Sequence, residues 1–261
     1  MAANDPGQPL HPSHPMTDDS AWTRDLATPT SALAIGAHPD DVEFGCGGVL
    51  AKWAADGCTI HHLVCTDGSK GTWDADADVE ALAARRQVEQ REAAARLGGA
   101  NAGEVRFLGH VDGELDSGLT ERGQVALVIR ELRPAVVLGH DPWKRYRLHP
   151  DHRHAGLLAV EGIVAARDPH FFKEHPVPHH RPDALVLWEA DEPDHVEDVS
   201  TVVDTKLHAL LAHESQFEST MKAVDDAEIE VFRDRIRTRL ATLGEPHDVG
   251  AAEVFKLITS L

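Results

Sequence analysis

The chain has 261 residues, 42% of them hydrophobic, and its 44 acidic and 25 basic side chains give a net charge of −19. This length and apolar content suffice for one sizeable α/β domain with a buried core. The strong negative charge argues against general binding to nucleic acid or to an anionic membrane, because phosphate recognition needs a basic surface. Cys46, Cys58 and Cys65 form no CxxC pair, so they indicate neither a redox motif nor a thiolate zinc site.

Residues 1–30 are rich in proline and polar residues, which predicts a flexible N-terminal arm ahead of a single α/β domain over residues 31–261. The N-terminus lacks the basic start and the apolar core of a signal peptide. No apolar stretch reaches the roughly 18 to 20 residues needed to span a bilayer. We therefore expect a cytoplasmic protein without a membrane span.

From Ser31 onward, apolar strand-like runs alternate with helical patterns. The predicted strands are Ala32–Ala37, Thr59–Cys65, Val105–Leu108, Ala135–Leu138 and Ala184–Trp188. The predicted helices are Val79–Leu97, Leu119–Leu132, His154–Ala166, Thr201–Ser215 and Ala223–Leu243. Alternating elements with short connections imply a largely parallel sheet with helices on both of its faces.

The first predicted strand leads into the segment AHPDDVEFGCGG, residues 37–48, which delivers His38, Asp40 and Asp41 close together. Open α/β sheets bind ligands outside the carboxyl ends of their strands, and a divalent metal with a neighbouring base explains these side chains most economically. His38 and Asp41 can face one cation if the chain turns between them, with Asp40 beside it. The alternative is that one aspartate caps a helix beginning near Val42, which leaves the other aspartate and His38 unexplained.

A second polar cluster, HPDH, follows the predicted strand Ala135–Leu138 and supplies His149, Asp151 and His152. The two histidines share a face if a helix starts there, so one can bind a metal while the other stands at the rim. Asp151 can orient an imidazole through the second ring nitrogen. A chance HxxH spacing is the alternative, since the chain has 18 histidines, but both clusters follow predicted strands and should share one edge of the sheet.

Together the clusters can offer a metal ion two histidines and one aspartate as ligands, with one coordination position left open. Catalytic zinc commonly has three protein ligands plus water, whereas magnesium prefers more oxygen ligands. We therefore expect zinc as the cofactor, although Fe²⁺ or another divalent metal can occupy the same type of site.

The segment AHPDDVEFGCGG together with HPDH closely resembles the two signature motifs of the PIG-L/LmbE-like N-acetylglucosaminyl deacetylases. The resemblance runs from about Ala32 to Gln216 and leaves the last 45 residues uncovered. It implies a Rossmann-like α/β fold and a zinc-dependent hydrolase that removes an acetyl or related acyl group from the amide nitrogen of a glucosamine-containing molecule. The implied partner is a small-molecule N-acylated amino sugar or conjugate, and assembly into a homo-oligomer is left open.

Residue by residue, the resemblance assigns six side chains to the metal and the reaction. The implied zinc ligands are His38, Asp41 and His152. Asp40 becomes the general base, and His149 becomes the group that stabilises the oxyanion. The leaving amine takes its proton either from a protonated His149 or from Asp40. Asp151 becomes the orienting partner of His149 and favours its protonated form by charge proximity.

The resemblance also implies substrate-binding positions. Arg86 resembles a basic position that some members use to hold substrate, and an exposed helix charge is the equally supported alternative. His213 in HESQ resembles a family position near the site. Specificity is expected in three loops whose aromatic residues can stack on a sugar or pack in the protein. These loops are Gly68–Asp78 with Trp73, Gly109–Gly118, and Asp168–Arg181 with Phe171 and Phe172.

Arg147 departs from the pattern of the thiol-pathway deacetylases of this family, which resemble one another in a tyrosine two residues before HPDH. Tyr146 lies one residue further away, and VEFGCGG looks like the broader branch of the family. Both features point away from precursors of mycothiol or bacillithiol as the substrate.

Two other functions stay open on the sequence. A metal-dependent amidase or esterase acting on a non-sugar substrate would use the same metal ligands. A non-catalytic metal- or sugar-binding protein would need neither Asp40 nor His149.

Overall fold

The computed structural model describes residues 22–261, whose strands form one eight-stranded sheet with helices packed on both faces. The strands are β1 (Thr23–Arg24), β2 (Ser31–Gly36), β3 (Thr59–Thr66), β4 (Ala102–His110), β5 (Val136–His140), β6 (Ala184–Trp188), β7 (His195–Asp198) and β8 (Ala252–Ile258). The α-helices are α1 (Asp41–Ala55), α2 (Val79–Gly98), α3 (Leu119–Leu132), α4 (Pro150–Arg167), α5 (Val203–Leu210) and α6 (Asp226–Gly244). Along the sheet the order is β1-β7-β8-β6-β5-β2-β3-β4. All neighbours are parallel except at β8, which is antiparallel to β6 and β7.

The central strands are continuous apolar runs because both of their faces are covered. Alternate residues of β2 enter two different cores. Ala32 and Ala34 pack on the side of α1 and α2, whereas Leu33 and Ile35 pack on the side of α3 and α4. The predicted fold class, a mostly parallel Rossmann-like sheet with helices on both faces, is confirmed.

The sheet extends further toward the N-terminus than the predicted domain boundary at residue 31. The two residues of β1 pair in parallel with β7, and Thr23 Oγ1 lies 2.8 Å from His195 Nδ1. This edge strand is short and polar, so it carries no apolar alternation that a sequence pattern could detect. Residues 1–21 of the predicted arm lie outside the described residues.

The predicted helix Thr201–Ser215 is shorter in the structure, where α5 ends at Leu210 and a 3-10 turn follows at Glu214–Gln216. Glu89 of α2 explains the break. Its carboxylate accepts hydrogen bonds from the backbone amide of Ser215 at 2.9 Å and from the Ser215 hydroxyl at 2.6 Å. These contacts draw the chain out of the helical path toward α2.

Helix α1 is interrupted, and a residue of the last strand repairs the interruption. The backbone at Cys46 leaves the helical conformation, with φ −145° and ψ 18°. The amides of Gly48 and Val49 donate instead to the Glu253 carboxylate of β8, both at 2.8 Å. Lys206 of α5 pairs with the same carboxylate at 2.6 Å. Glu253 therefore caps the second half of α1.

The sheet order brings the two polar clusters to one edge. Strands β2 and β5 are parallel neighbours, so the HPDD segment after β2 and the HPDH segment at the start of α4 lie above adjacent carboxyl ends, as predicted. Among residues 22–261, no helix combines the length and the apolar character needed to cross a membrane.

Candidate active site

The HPDD segment forms a tight turn between β2 and α1. Asp40 occupies the N-cap position of α1 with φ 103°, a left-handed conformation that is uncommon outside glycine and clusters at functional sites. Its side chain makes no capping hydrogen bond, so the capping alternative does not explain this aspartate. Two side chains of α2 hold the turn. Gln90 Oε1 accepts the Asp40 amide at 2.9 Å, and Arg86 donates to the carbonyl of Pro39 at 2.5 Å.

His38, Asp41 and His152 come together, with one potential ligand atom from each lying within 4.8 Å of the others. Asp41 Oδ2 is 3.4 Å from His38 Nδ1, and Asp41 Oδ1 is 3.3 Å from His152 Nε2. Two imidazoles and one carboxylate form a donor set that suits catalytic zinc. All three residues line an open cavity, so water or substrate can reach a cation held there. The residues present therefore fit a divalent cation of this type.

Asp151 is hydrogen-bonded to His38, whereas with the expected partner His149 it shares only a cluster of potential ligand atoms that lie within 4.8 Å of one another. Its Oδ2 is 3.1 Å from His38 Nε2. The carboxylate also accepts the amides of Gly113 at 2.6 Å and Leu115 at 3.3 Å. The loop after β4 thus supplies donors that turn Asp151 toward His38, a long-range arrangement that the spacing of HPDH does not contain.

His149 stands exposed at the rim of the cavity. Its ring centroid is 4.6 Å from that of His38 and 4.9 Å from that of His152. Burial, followed by the charges of these two histidines, lowers the pKa of His149. The charges of Asp151 and Asp112 act in the opposite direction and raise this pKa, as expected for Asp151, but they do not outweigh the other causes. The neutral imidazole is therefore favoured.

The pKa values of the two adjacent aspartates are shifted in opposite directions. Burial raises the pKa of Asp40 to about 6, although the charge of Arg86 opposes the rise. Burial also acts on Asp41, but the charges and hydrogen bonds of His152 and His140 outweigh it and hold the pKa of Asp41 well below its usual value. Asp41 thus stays ionised as a metal ligand must, whereas Asp40 can exchange a proton near neutral pH.

Two buried residues of the site, His140 and Asp112, do not emerge from the sequence motifs. His140 Nε2 lies 3.2 Å from Asp41 Oδ2, and burial lowers the pKa of His140 to about 4. Asp112 Oδ1 lies 3.2 Å from His38 Nε2. His140 ends β5, so the strand-end rule that singled out HPDD could have found it, whereas Asp112 lies in a loop without such a signal.

Arg86 and His213 are 3% and 0% exposed, and of these two only Arg86 lines the cavity. Arg86 Nη2 is 3.4 Å from Asp40 Oδ2, so the alternative of an exposed helix charge is wrong. His213 lies behind the turn, with Nε2 3.3 Å from Glu43 Oε2. The expected substrate contact of His213 is not supported, because its ring is fully buried against Glu43.

A cavity of about 440 Å³ opens above the donor cluster. The predicted specificity loops Gly68–Asp78 and Gly109–Gly118 both contribute to its wall. A short π-helix, Phe217–Met221, supplies further wall residues. Ser219 of this π-helix donates to the carbonyl of Gly71 at 3.0 Å, which fastens the C-terminal part of the chain to the first loop.

The third predicted specificity loop, Asp168–Arg181, does not contribute to that wall. Arg130 of α3 holds it, with Nη2 donating to the carbonyls of Asp168 and Phe171, both at 2.9 Å. The Phe172 ring lies directly over Gly123 of α3. Packing, and not sugar stacking, explains this aromatic residue.

Comparison with known proteins identifies one family and several relatives. The family described as GlcNAc-PI de-N-acetylase (PIG-L) matches residues 33–163, about half of the chain. The diacetylchitobiose deacetylase of Thermococcus kodakarensis is 37% identical over 188 residues, 71% of this chain and 69% of that protein. The 1D-myo-inositol 2-acetamido-2-deoxy-alpha-D-glucopyranoside deacetylase of Rhodococcus opacus is 33% identical over 179 residues, 60% of this chain and 58% of that protein. The match thus spans less than two thirds of this second relative.

Solved structures show the same fold. The N,N'-diacetylchitobiose deacetylase of Pyrococcus horikoshii is similar with a TM-score of 0.79 at 29% identity, covering 88% of this chain and 84% of that one. GalB, the 4-carboxy-2-hydroxymuconate hydratase of Pseudomonas putida, has a TM-score of 0.71 at 20% identity, covering 88% and 96%. The second likeness concerns the fold alone. Since a hydratase and a deacetylase share this fold, the function has to be argued from the site.

Proposed function

The chain belongs to the PIG-L family, and on that premise we propose that it is a metal-dependent N-deacetylase of a small molecule that contains N-acetylglucosamine. The relatives named above are deacetylases that act on amide C–N bonds. The observation that carries the proposal is the cluster of His38, Asp41 and His152 in the wall of an open cavity. The buried Asp40 immediately precedes Asp41 in the chain and adds a base to this cluster.

The substrate class rests on the relatives and on the cavity. The names of both relatives specify substrates with an N-acetylated glucosamine unit. Trp73 is 82% exposed at the cavity wall, where its ring can stack on a sugar. We infer a conjugate or short oligomer of N-acetylglucosamine. The cytoplasmic location and the homo-oligomeric state stay predictions.

His38, Asp41 and His152 would hold the cation. We infer zinc, because nitrogen donors suit zinc better than magnesium, and Fe²⁺ can use the same donors. When bound, the cation supplies a Lewis acid that activates water and polarises the amide carbonyl. The second nitrogen of His38 lies 3.1 Å from Asp151 Oδ2 and 3.2 Å from Asp112 Oδ1, contacts that fix the orientation of the ring.

Asp40 is the proposed general base. With a pKa near 6, it is ionised at neutral pH and accepts a proton from the water that attacks the amide carbon. The protonated Asp40 then gives this proton to the departing nitrogen, so that the C–N bond breaks and a neutral amine leaves. Arg86 restrains the carboxylate through its contact at 3.4 Å.

His149 is the proposed oxyanion donor. Its neutral imidazole N–H can donate to the carbonyl oxygen as that atom gains negative charge. Preorganised donors of this kind contribute about 3 to 4 kcal/mol of transition-state stabilisation. The lowered pKa of His149 gives the acid role to Asp40 instead.

The proposal is tested by measuring bound metal and acetate release on the same preparation. Substrates are N-acetylglucosamine, N,N'-diacetylchitobiose and an N-acetylglucosaminyl inositol, with a phosphoester and a non-sugar amide as controls. We expect zinc in the protein and equal amounts of acetate and free amine from at least one sugar. Turnover of the non-sugar amide alone would contradict the substrate class. Bound zinc without any hydrolysis would favour a non-catalytic binding protein.

A further inference from the structure

A buried histidine outside both sequence motifs lies directly behind the donor cluster. His140 ends β5 and is 2% exposed. Its Nε2 is 3.2 Å from Asp41 Oδ2. On the opposite side of the ring, Trp188 Nε1 donates to His140 Nδ1 at 3.0 Å. The three side chains form a row of two hydrogen bonds that ends on a proposed metal ligand.

The indole determines which nitrogen of His140 carries the proton. A tryptophan N–H can only donate, and a neutral imidazole has one donor and one acceptor nitrogen. Nδ1 must therefore be the acceptor. The guanidinium of Arg147, also a pure donor, reaches the same atom at 3.2 Å. The proton is left on Nε2, from which His140 donates to Asp41.

The two oxygens of Asp41 consequently have different surroundings. Oδ2 accepts the backbone amide of His38 at 2.7 Å as well as the His140 bond, and it lies 3.4 Å from His38 Nδ1. Oδ1 faces Nε2 of His152 at 3.3 Å. We propose that His140, held in its Nε2–H tautomer by Trp188, is a positioning residue that clamps Oδ2 of Asp41 and turns Oδ1 toward the cation. This inference rests on the proposed function, because it assigns a role relative to that metal.

The fold itself aligns this row. His140 and Trp188 are paired residues at the ends of parallel neighbours β5 and β6, so the sheet register brings the two rings together. Gly45 of α1 leaves room for the indole, since a Cβ at this position would lie 2.6 Å from the Trp188 ring. Gly45 of the glycine-rich GCGG run thus allows Trp188 to reach His140.

The test is the zinc affinity of the purified protein, measured by competition with a chromophoric chelator. His140→Leu removes the donor, and we expect its dissociation constant to rise about 10- to 100-fold, as for other residues that orient metal ligands. His140→Gln can place an amide N–H near the position of Nε2 and should recover most of the affinity. Trp188→Phe keeps a ring but leaves Arg147 as the remaining donor to His140 Nδ1, so it should show a smaller loss. His195→Leu, which removes another fully buried histidine from the far strand β7, should bind zinc as the parent does.

Circular dichroism melting first establishes that each variant is folded. A folded His140→Leu protein with unchanged affinity would overturn the inference while leaving the proposed function intact. A parent protein that binds no zinc would instead defeat the proposed function. A direct readout comes from the nitrogen resonances of His140 in the zinc-loaded parent. We expect a proton on Nε2 alone. A proton on Nδ1 would show that His140 does not donate to Asp41, and this result would overturn the inference even if every variant misfolded.

Discussion

Asp40 and Asp41 show how two identical neighbours in the chain acquire different chemistry. Asp41 is surrounded by imidazoles, which keep its carboxylate ionised. Asp40 is buried, which raises the pKa of its carboxyl to about 6. The charge of Arg86 is the main effect that opposes this rise. Separation of this kind is how a pair of carboxylates divides the roles of base and ligand.

Replacement of the proposed base should separate metal binding from turnover. Asp40→Asn keeps the size of the side chain but removes the proton acceptor, and we expect acetate release to fall by about 10²- to 10⁴-fold. Bound zinc, measured by elemental analysis, should persist. Loss of zinc would show that Asp40 is itself a ligand.

Removal of Arg86 should shift the pH dependence of kcat/KM. Asp40 must be ionised to act, so activity is lost as the pH falls through its pKa. Arg86 lowers that pKa, and Arg86→Gln should therefore move the acidic limb to higher pH. Arg85 is the matched control, since it precedes Arg86 on α2 but is paired with Glu89 and Glu214. An unchanged limb in Arg86→Gln, or an equal shift in Arg85→Gln, would contradict the role of Asp40.

At the scale of the elements, the sequence predicts those strands and helices whose residues form a recognisable local pattern. Strands β2, β5 and β6 are predicted because full burial makes them continuous apolar runs. Helix α2 is predicted because no glycine or proline interrupts its pattern. Helix α1 and strands β7 and β8 are not predicted from the sequence. The reason for α1 is that its regularity depends on Glu253, whose hydrogen-bond partner Gly48 lies 205 residues away.

The same limit applies inside the site. The residue types of both motifs indicated a metal with a base, and the strand-end rule indicated that the motifs would meet. The true partner of Asp151 depends on the amides of Gly113 and Leu115, which belong to a loop that no spacing connects to HPDH. The burial of His213 likewise follows from its contact with Glu43.

The cap on α1 should contribute strongly to stability. Glu253 and Lys206 are 3% and 2% exposed. Glu253→Ala therefore leaves the buried ammonium with the Phe44 carbonyl but without its opposite charge, and two helix amides without their acceptor. We expect a loss of about 3 to 5 kcal/mol in the free energy of unfolding, measured by urea denaturation. The double variant Glu253→Leu with Lys206→Met should recover part of it. Asp204→Ala, which breaks an exposed pair with Arg237, is the control and should change little.

At the scale of the whole molecule, distant parts of the chain meet to form the site. The donor cluster lies at the end of the sheet and is not part of the hydrophobic cores on its faces. The family match covers residues 33–163, yet the cavity wall also contains Gln216, Ser219 and Thr220. One part of the cavity wall thus lies outside the part of the chain that defines the family. Differences in substrate among relatives can arise there without changes in the metal ligands.

Metal removal should lower stability without unfolding the protein. A ligand that binds only the folded state stabilises it by about 2.7 kcal/mol at a free concentration 100 times its dissociation constant. We expect chelator treatment to lower the melting temperature and added zinc to restore it, as measured by calorimetry. His152→Ala should melt at one temperature with or without zinc. A zinc response in that variant equal to the parent's would contradict the assigned donor set.

The cap of α1 by Glu253 also has a consequence for the time course of biosynthesis. Gly48 leaves the ribosome 205 residues before its partner does. At the usual 5 to 20 residues per second, the interval is roughly 10 to 40 s. During that time the helix that presents the HPDD turn lacks its acceptor, and the enzyme can become competent only when the last strand has docked.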